Sequence, residues 1–224
     1  MAVQKLVVAA ATGGIGRELT RQALAAGHEV TVLVRSPEKV TEPVRVIRAD
    51  LSRPDPAALA GALAGADAVL SGLGARTKAD HGVARRGTAA LIEAARVAGV
   101  RRLVVVSAAP LGTVPSPRRP HPPKHDPGDG FAMRYLGTPF ARTMFRTHYA
   151  DLAAMEDEVR DSGLDWTISR PPKLTDRPLS GRYRTAVDRN VRGGVSISRA
   201  DVAHQMLAAL ADPATVGHTI GVAQ

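Results

Sequence analysis

A chain of 224 residues with 44% hydrophobic content can bury a core of useful size, and it carries no apolar run long enough to cross a bilayer. It has no cysteine, which removes disulfides, thiolate nucleophiles and thiolate metal sites and suits a cytoplasmic location. A formal charge of +9 would attract any polyanion, but the arginines are spread through every segment, and 3 Phe, 3 Tyr and 1 Trp leave little material for stacking bases.

One domain over residues 1–224 is therefore expected, with no secretion leader. A phosphorylated small molecule is the expected ligand. Neither nucleic acid nor a membrane is an expected partner, and a monomer or homodimer is the expected state.

Leu6-Val7-Val8-Ala9 reads as a buried strand, Ala10-Ala11-Thr12-Gly13-Gly14-Ile15-Gly16-Arg17 as a small-residue turn, and residues 18–26 as a helix closed by Gly27-His28. A strand, a glycine turn and a helix N-terminus in that order make an anion cradle, because backbone N–H groups and the helix dipole point at one place. Glu29-Val30-Thr31-Val32-Leu33-Val34 supplies a second strand that ends at Arg35-Ser36-Pro37, completing a β-α-β unit of the size a dinucleotide site requires. A third strand over 44–49 runs into Asp50-Leu51-Ser52. A short Ala/Leu helix follows over 55–65, then a fourth strand over 67–71 leading into Gly72-Leu73-Gly74-Ala75-Arg76. A longer helix over 80–98 stops at Gly99. Residues 101–107 form the fifth strand, apolar throughout at Leu103-Val104-Val105-Val106, as a strand covered on both faces should be.

Residues 108–130 break this rhythm. Pro110, Pro115, Pro117, Pro120, Pro122, Pro123 and Pro127 preclude a regular element, and Arg118, Arg119, Lys124, His121 and His125 make the stretch basic, so it reads as a lid or a partly disordered excursion. Residues 131–145 are weakly helical and 149–161 strongly so. A strand over 164–169 leaves through the rigid Arg170-Pro171-Pro172-Lys173. Residues 183–187 and 195–197 suggest a small strand pair. A helix capped near Ser198 covers 199–210, and a last strand lies within 215–222.

Strict alternation of strand and helix predicts an α/β fold with one doubly wound, right-handed parallel sheet and ligands at the carboxyl ends of its strands. Gly13, Arg35, Asp50, Gly74 and Ser107 each follow a predicted strand end and so collect on one edge.

Four blocks in order carry a family likeness: Ala11-Thr12-Gly13-Gly14-Ile15-Gly16; His28-Glu29-Val30-Thr31-Val32-Leu33-Val34-Arg35; Ser162-Gly163-Leu164-Asp165-Trp166-Thr167; and Arg170-Pro171-Pro172, continued by Ser180-Gly181-Arg182-Tyr183 and Ser198-Arg199-Ala200-Asp201. They resemble the atypical short-chain dehydrogenase/reductase superfamily, in the group of NmrA-like proteins and biliverdin-IX beta and flavin reductases. The resemblance implies a Rossmann-type domain with a small C-terminal substrate-site extension, and NADP(H) as cofactor. Gly13 would let backbone approach the pyrophosphate, with Thr12, Gly14 and Ile15 beside it, and Gly16 would let helix and strand pack closely. The family's first glycine is Ala10 here, which is tolerable if its φ stays negative. Arg35 stands where an NAD enzyme places a carboxylate and could grip the ribose 2′-phosphate, with Ser36 and Lys39 as further donors. Asp50 and Leu51 would flank the adenine, and Leu73, Gly74 and Arg76 would follow the pyrophosphate and ribose.

The family's usual acid is a Tyr-x-x-x-Lys pair, but Tyr149 is followed at the lysine position by Ala153. A phenol without that lysine keeps a pKa of about 10 and is a poor acid at neutral pH. The flavin-reductase arrangement offers Ser107 to orient amide or substrate, and Lys173 to attract an anionic substrate or donate a proton, with Pro171 and Pro172 as the wall beside the nicotinamide. A planar, electron-poor acceptor such as a flavin or quinone suits a site without a strong acid. The leading expectation is thus an NADPH-dependent reductase. The alternatives are a non-enzymatic NADP(H) sensor of NmrA-like type and a tailoring enzyme performing carbonyl reduction, epimerisation or a redox-neutral rearrangement. The histidines lie in separate elements and no metal site is expected. Glu156 and Glu158 read as a polar helix face.

Overall fold

The structure is a computed structural model that describes residues 3–75, 80–131 and 133–224. The central sheet has eight strands in the order β3-β2-β1-β4-β5-β6-β10-β8: β1 (Lys5–Ala9), β2 (Glu29–Val34), β3 (Arg45–Arg48), β4 (Ala68–Ser71), β5 (Arg102–Val106), β6 (Asp165–Arg170), β8 (Arg184–Val187) and β10 (His218–Ala223). All neighbours are parallel except β8, which runs antiparallel to β10 at the edge. Strand order reverses between β2-β1 and β4, so the crevice beyond Ala9, Leu33 and Ser71, which lie side by side, is the switch point where such sheets bind ligands.

Alternate residues of each strand feed two cores, because successive side chains of a strand point to opposite faces. Val7, Ala9, Val69, Leu103 and Val105 pack with Leu59 and Leu63 of α2 (Pro56–Leu63), Leu91 of α3 (Val83–Ala98) and Met155 and Val159 of α5 (Arg146–Arg160). Leu6, Val8, Val32, Leu70, Val104 and Val106 pack on the other face with Leu19 and Ala23 of α1 (Gly14–Ala25) and Val202 and Met206 of α6 (Arg199–Ala208). This two-sided burial is why the strands are apolar without alternation. No helix among the described residues is long and apolar enough to cross a membrane.

The expected pairing of 183–187 with 195–197 is not what forms. β8 joins the main sheet through β10, whereas β9 (Ser196–Ser198) pairs in parallel with β7 (Lys173–Thr175) in a separate ladder. Asp188 turns the chain away after β8 with φ +56, held by N–H and hydroxyl bonds from Thr219 at 3.0 and 3.1 Å and by His218 at 2.7 Å.

The proline-rich stretch contains a short helical turn, Ala109–Thr113, and is otherwise irregular. Carboxylates tie it down in place of ladder bonds. Asp157 of α5 accepts from the Ser116 hydroxyl and the Arg118 N–H, and Asp126 accepts from the N–H groups of Gly128 and Asn190. Residues 133–137 then make a π-type turn that leads into the short α4 (Thr138–Met144).

At the glycine turn the chain leaves β1 through Ala10, whose φ is +58, so the condition under which alanine is tolerated there without strain is not met. The turn is closed by the Gly13 N–H bonding to the Ala10 carbonyl at 2.8 Å, and Gly16 sits so close beneath that carbonyl that a Cβ there would collide with it. The left-handed region costs an L-residue about 1–2 kcal/mol, of which roughly 0.4–1 kcal/mol is offset by the smaller entropy of an unfolded Ala. Ala10→Gly is therefore expected to stabilise the protein by about 0.5–1 kcal/mol, a rise in Tm of roughly 2 °C. Urea unfolding of the two proteins checks this, and a destabilised glycine variant would show that the turn is not strained.

Candidate functional site

A cavity of about 520 Å³ opens at the switch point. Its floor is the glycine turn: Ala10, Thr12, Gly13, Gly14 and Ile15 all line it. Gly13 is the N-cap of α1 and offers no side chain to the first-turn N–H groups, which leaves them to an external anion. Gly16 lies below, setting the packing distance, and does not line the cavity.

The strand ends supply the walls. Arg35, at the exit of β2, lines the cavity with its side chain 61% exposed and donates to Asp80 at 3.2 Å. Ser36 is half-buried and Lys39 exposed in the next turn, both outside the lining. Asp50 and Leu51 line it after β3. The Ser52 hydroxyl and N–H both donate to Asp50, at 2.7 and 3.0 Å, and hold its carboxyl below the usual value. Leu73 and Gly74 line it after β4, while Arg76 falls outside the described residues.

At the far end, Val106 and Ser107 meet His148 and Leu152 of α5, which stand one helical turn apart on its cavity side. Tyr149 is turned away: its ring packs against Phe145 and His148 at centroid distances of 5.8 and 5.9 Å, and burial raises its pKa. Burial lowers the pKa of His148, which outweighs the pull of Asp151, so its imidazole is neutral at pH 7. Lys173 is exposed at the start of β7. Pro171 is buried and its carbonyl accepts from the Ala109 N–H at 2.9 Å; neither residue lines the cavity, although Leu174 does.

Beneath Ser107 lies a buried ionic cluster that reading Glu156 as part of a polar face missed. Glu156 is 1% exposed and accepts hydrogen bonds from Ser107 Oγ at 2.7 Å, Arg170 Nε at 2.9 Å and Arg160 Nη2 at 2.7 Å, and from Arg170 Nη2. Burial alone would push this carboxyl up. The Arg170 and Arg160 guanidiniums and the Ser107 hydroxyl override it and bring its pKa to about 2. A carboxylate has no proton to give, so the Ser107 hydroxyl must donate to it, and only lone pairs of Ser107 face the cavity. The sequence held a signal for Glu156, which falls on the stripe of Leu152, Met155 and Val159 that α5 buries. Glu158 lies on the surface with Arg85 at 3.1 Å.

Arg199 and Asp176 also line the cavity, bonded to each other at 2.6 Å; the sequence placed Arg199 in a family-like block without a site role, and Asp176 nowhere.

A parallel sheet whose switch point opens onto a glycine turn, with a guanidinium at the end of the second strand, defines a dinucleotide-binding α/β protein. The chain belongs to the NAD(P)H-binding family, whose model matches residues 10–213. It is 30% identical over 221 residues to an uncharacterised chloroplastic protein of Arabidopsis thaliana, covering 92% of this chain and 72% of that one. It is 38% identical over 122 residues to the 3-diazoavenalumate denitrifying reductase of a Streptomyces species, covering 48% of this chain and 40% of that one. Among solved structures, a candidate NADH-flavin reductase from Streptococcus pneumoniae has a TM-score of 0.74 at 24% identity, with 99% of each chain covered, and shares the fold.

The depressed pKa of Glu156 makes it stabilising above about pH 4.5, with that contribution lost as pH falls toward 2. Glu156→Gln should cost about 3–5 kcal/mol at pH 7, since it leaves Arg170 buried beside a neutral partner. The gap to wild type should shrink as the pH drops below about 4.5. Denaturant midpoints of both proteins across that range check it, and a gap independent of pH would contradict the ionic assignment.

Proposed function

We propose that the protein is an NADPH-dependent reductase of a planar conjugated acceptor, such as a flavin, a quinone or a related metabolite. One observation carries the reading: among the described residues, the end of the cavity beside Ser107 offers a hydroxyl whose proton is committed to Glu156 and a neutral imidazole, His148, and no strong acid. Carbonyl reduction needs a proton delivered to a developing alkoxide. A conjugated acceptor spreads the incoming charge and can take its proton from water.

The residues present fit the cofactor. The uncapped first turn of α1 suits the pyrophosphate, Arg35 the 2′-phosphate with Ser36 and Lys39 within the same turn, Asp50 and Leu51 the adenine, and Leu73 and Gly74 the ribose on the way to Ser107. Bound NADPH would supply the hydride. Ser107 Oγ would accept from the carboxamide N–H₂ and set the ring's orientation, and Val106 and Leu152 would exclude water from one side. Pro171 is buried and Lys173 exposed on the approach to the cavity-lining Leu174, and Lys173 would attract an anionic acceptor toward the rim. The reductase name of the Streptomyces relative supports this class of chemistry.

A second reading is an NADP(H)-binding sensor without turnover. It is favoured by the placement of Tyr149 outside the cavity and by Ala153, which is buried in α5 where the family's lysine would stand.

Anaerobic mixing with NADPH and a panel of flavins, quinones and ketones separates the two. Oxidation above the protein-free rate with planar acceptors and not with ketones is expected; tight NADPH binding with no oxidation by any acceptor would leave the sensor. In parallel titrations, Arg35→Ala should reduce the preference for NADPH over NADH by at least tenfold, or ~1.4 kcal/mol. An unchanged preference would remove Arg35 from the 2′-phosphate site.

A further inference from the structure

The block Ser198-Arg199-Ala200-Asp201 has one side chain that capping does not use. Ser198 caps α6 by accepting from the Asp201 N–H at 2.9 Å and donates to its carboxylate at 2.7 Å. Asp201 also holds Ser180 and Gly181, and the Ala200 carbonyl accepts from Gln22 of α1 at 2.9 Å. Arg199 alone is left to face the cavity.

Its position follows from the small ladder. Thr175 of β7 pairs with Ser198 of β9, so the next residues, Asp176 and Arg199, emerge side by side and form their 2.6 Å bond. The stem of Arg199 then crosses the start of α1. A Cβ at Gly14 would lie 2.7 Å from Arg199 Nε and closer still to Cδ, so the guanidinium rests in space that a larger residue at position 14 would make it leave. A cation is thus held against the positive end of a helix dipole, an arrangement that calls for an anion between them. In the free protein the anion bonded to Arg199 is Asp176, a weak counterion because its side chain is 89% exposed against 31% for Arg199. Ion pairs of that exposure contribute little, as water competes for both partners.

We propose that Asp176 is a surrogate for the cofactor pyrophosphate, and that Arg199 exchanges Asp176 for the pyrophosphate when the dinucleotide binds. The proposal rests on the dinucleotide reading of the cavity and adds to it a restraint. Asp176 keeps the guanidinium poised beside the cradle and lowers the affinity it could otherwise give. The two residues of one ion pair therefore have opposite effects on the same ligand.

Calorimetric titration with NADPH, and with adenosine 2′-monophosphate as a probe lacking the pyrophosphate, tests this on wild type, Arg199→Ala, Asp176→Asn and the double variant. Arg199→Ala should weaken NADPH binding about tenfold to a hundredfold, the range for a lost charge-assisted bond, while leaving adenosine 2′-monophosphate unchanged, which also shows that the variant is folded. Asp176→Asn should tighten NADPH binding severalfold. That gain should vanish in the Arg199→Ala background, where mere relief of repulsion between Asp176 and the ligand would persist. NADPH binding indifferent to Arg199→Ala, a weaker Asp176→Asn, or a gain that survives in the double variant would each overturn the exchange. A wild type that binds neither NADPH nor NADH would overturn the dinucleotide reading itself, a result distinguishable from wild-type binding with unresponsive variants.

Discussion

The buried pair of Glu156 and Arg170 is the interaction on which the site depends. It joins α5 to the end of β6, and through the Ser107 hydroxyl it reaches the end of β5, so three elements that frame the deep end of the cavity share one ionic knot. Desolvating two charges is costly, and a well-packed apolar pair could hold the same elements together. An ion pair does something an apolar pair cannot: it fixes the direction of the proton on Ser107. The chemistry of that end follows from a carboxylate that never touches the cavity.

The same logic appears along the cavity rim. Arg35 and Arg199 are the guanidiniums that line it among the described residues, and each is bonded to an aspartate, Asp80 and Asp176 respectively. A cavity meant for a polyanion carries strong positive charge when empty, and carboxylates close by moderate it. Among the described residues, the protein's excess of 30 Lys and Arg over 21 Asp and Glu thus does not reach the cavity lining as bare guanidinium charge. Phosphates arriving at the rim would compete with carboxylates as well as with water.

Much of the fold was legible because the parallel sheet buries both faces of its strands. Glu29–Val34 is a strand with the bounds its apolar run suggests, a short Ala/Leu helix forms within 55–65, and Ser198 caps α6. β8 and β9 were misjudged as partners because strands of 4 and 3 residues carry too little pattern to choose among neighbours; the turn at Asp188 makes that choice. The cradle was legible for the same reason as the sheet: glycine spacing reflects close backbone approach. The strain at Ala10 was not, since one substitution in a turn does not reveal which way φ has gone. Side-chain direction was the least legible feature. His148 and Tyr149 are adjacent in sequence but lie about 100° apart around a helix, and only packing decides that His148 faces the cavity. Arg199 was hidden similarly, within a block whose other members are structural.

In the proposed complex the dinucleotide lies across the switch point with its nicotinamide beside Ser107, oriented by a hydroxyl that can only accept. A crystal structure of the NADPH complex tests it most directly. The pyrophosphate is expected against the N–H groups of Gly14 and Ile15, the 2′-phosphate on Arg35, and the carboxamide nitrogen within hydrogen-bond distance of Ser107 Oγ. A nicotinamide lying outside the cavity, or a Ser107 hydroxyl turned from Glu156 toward the ligand, would contradict it.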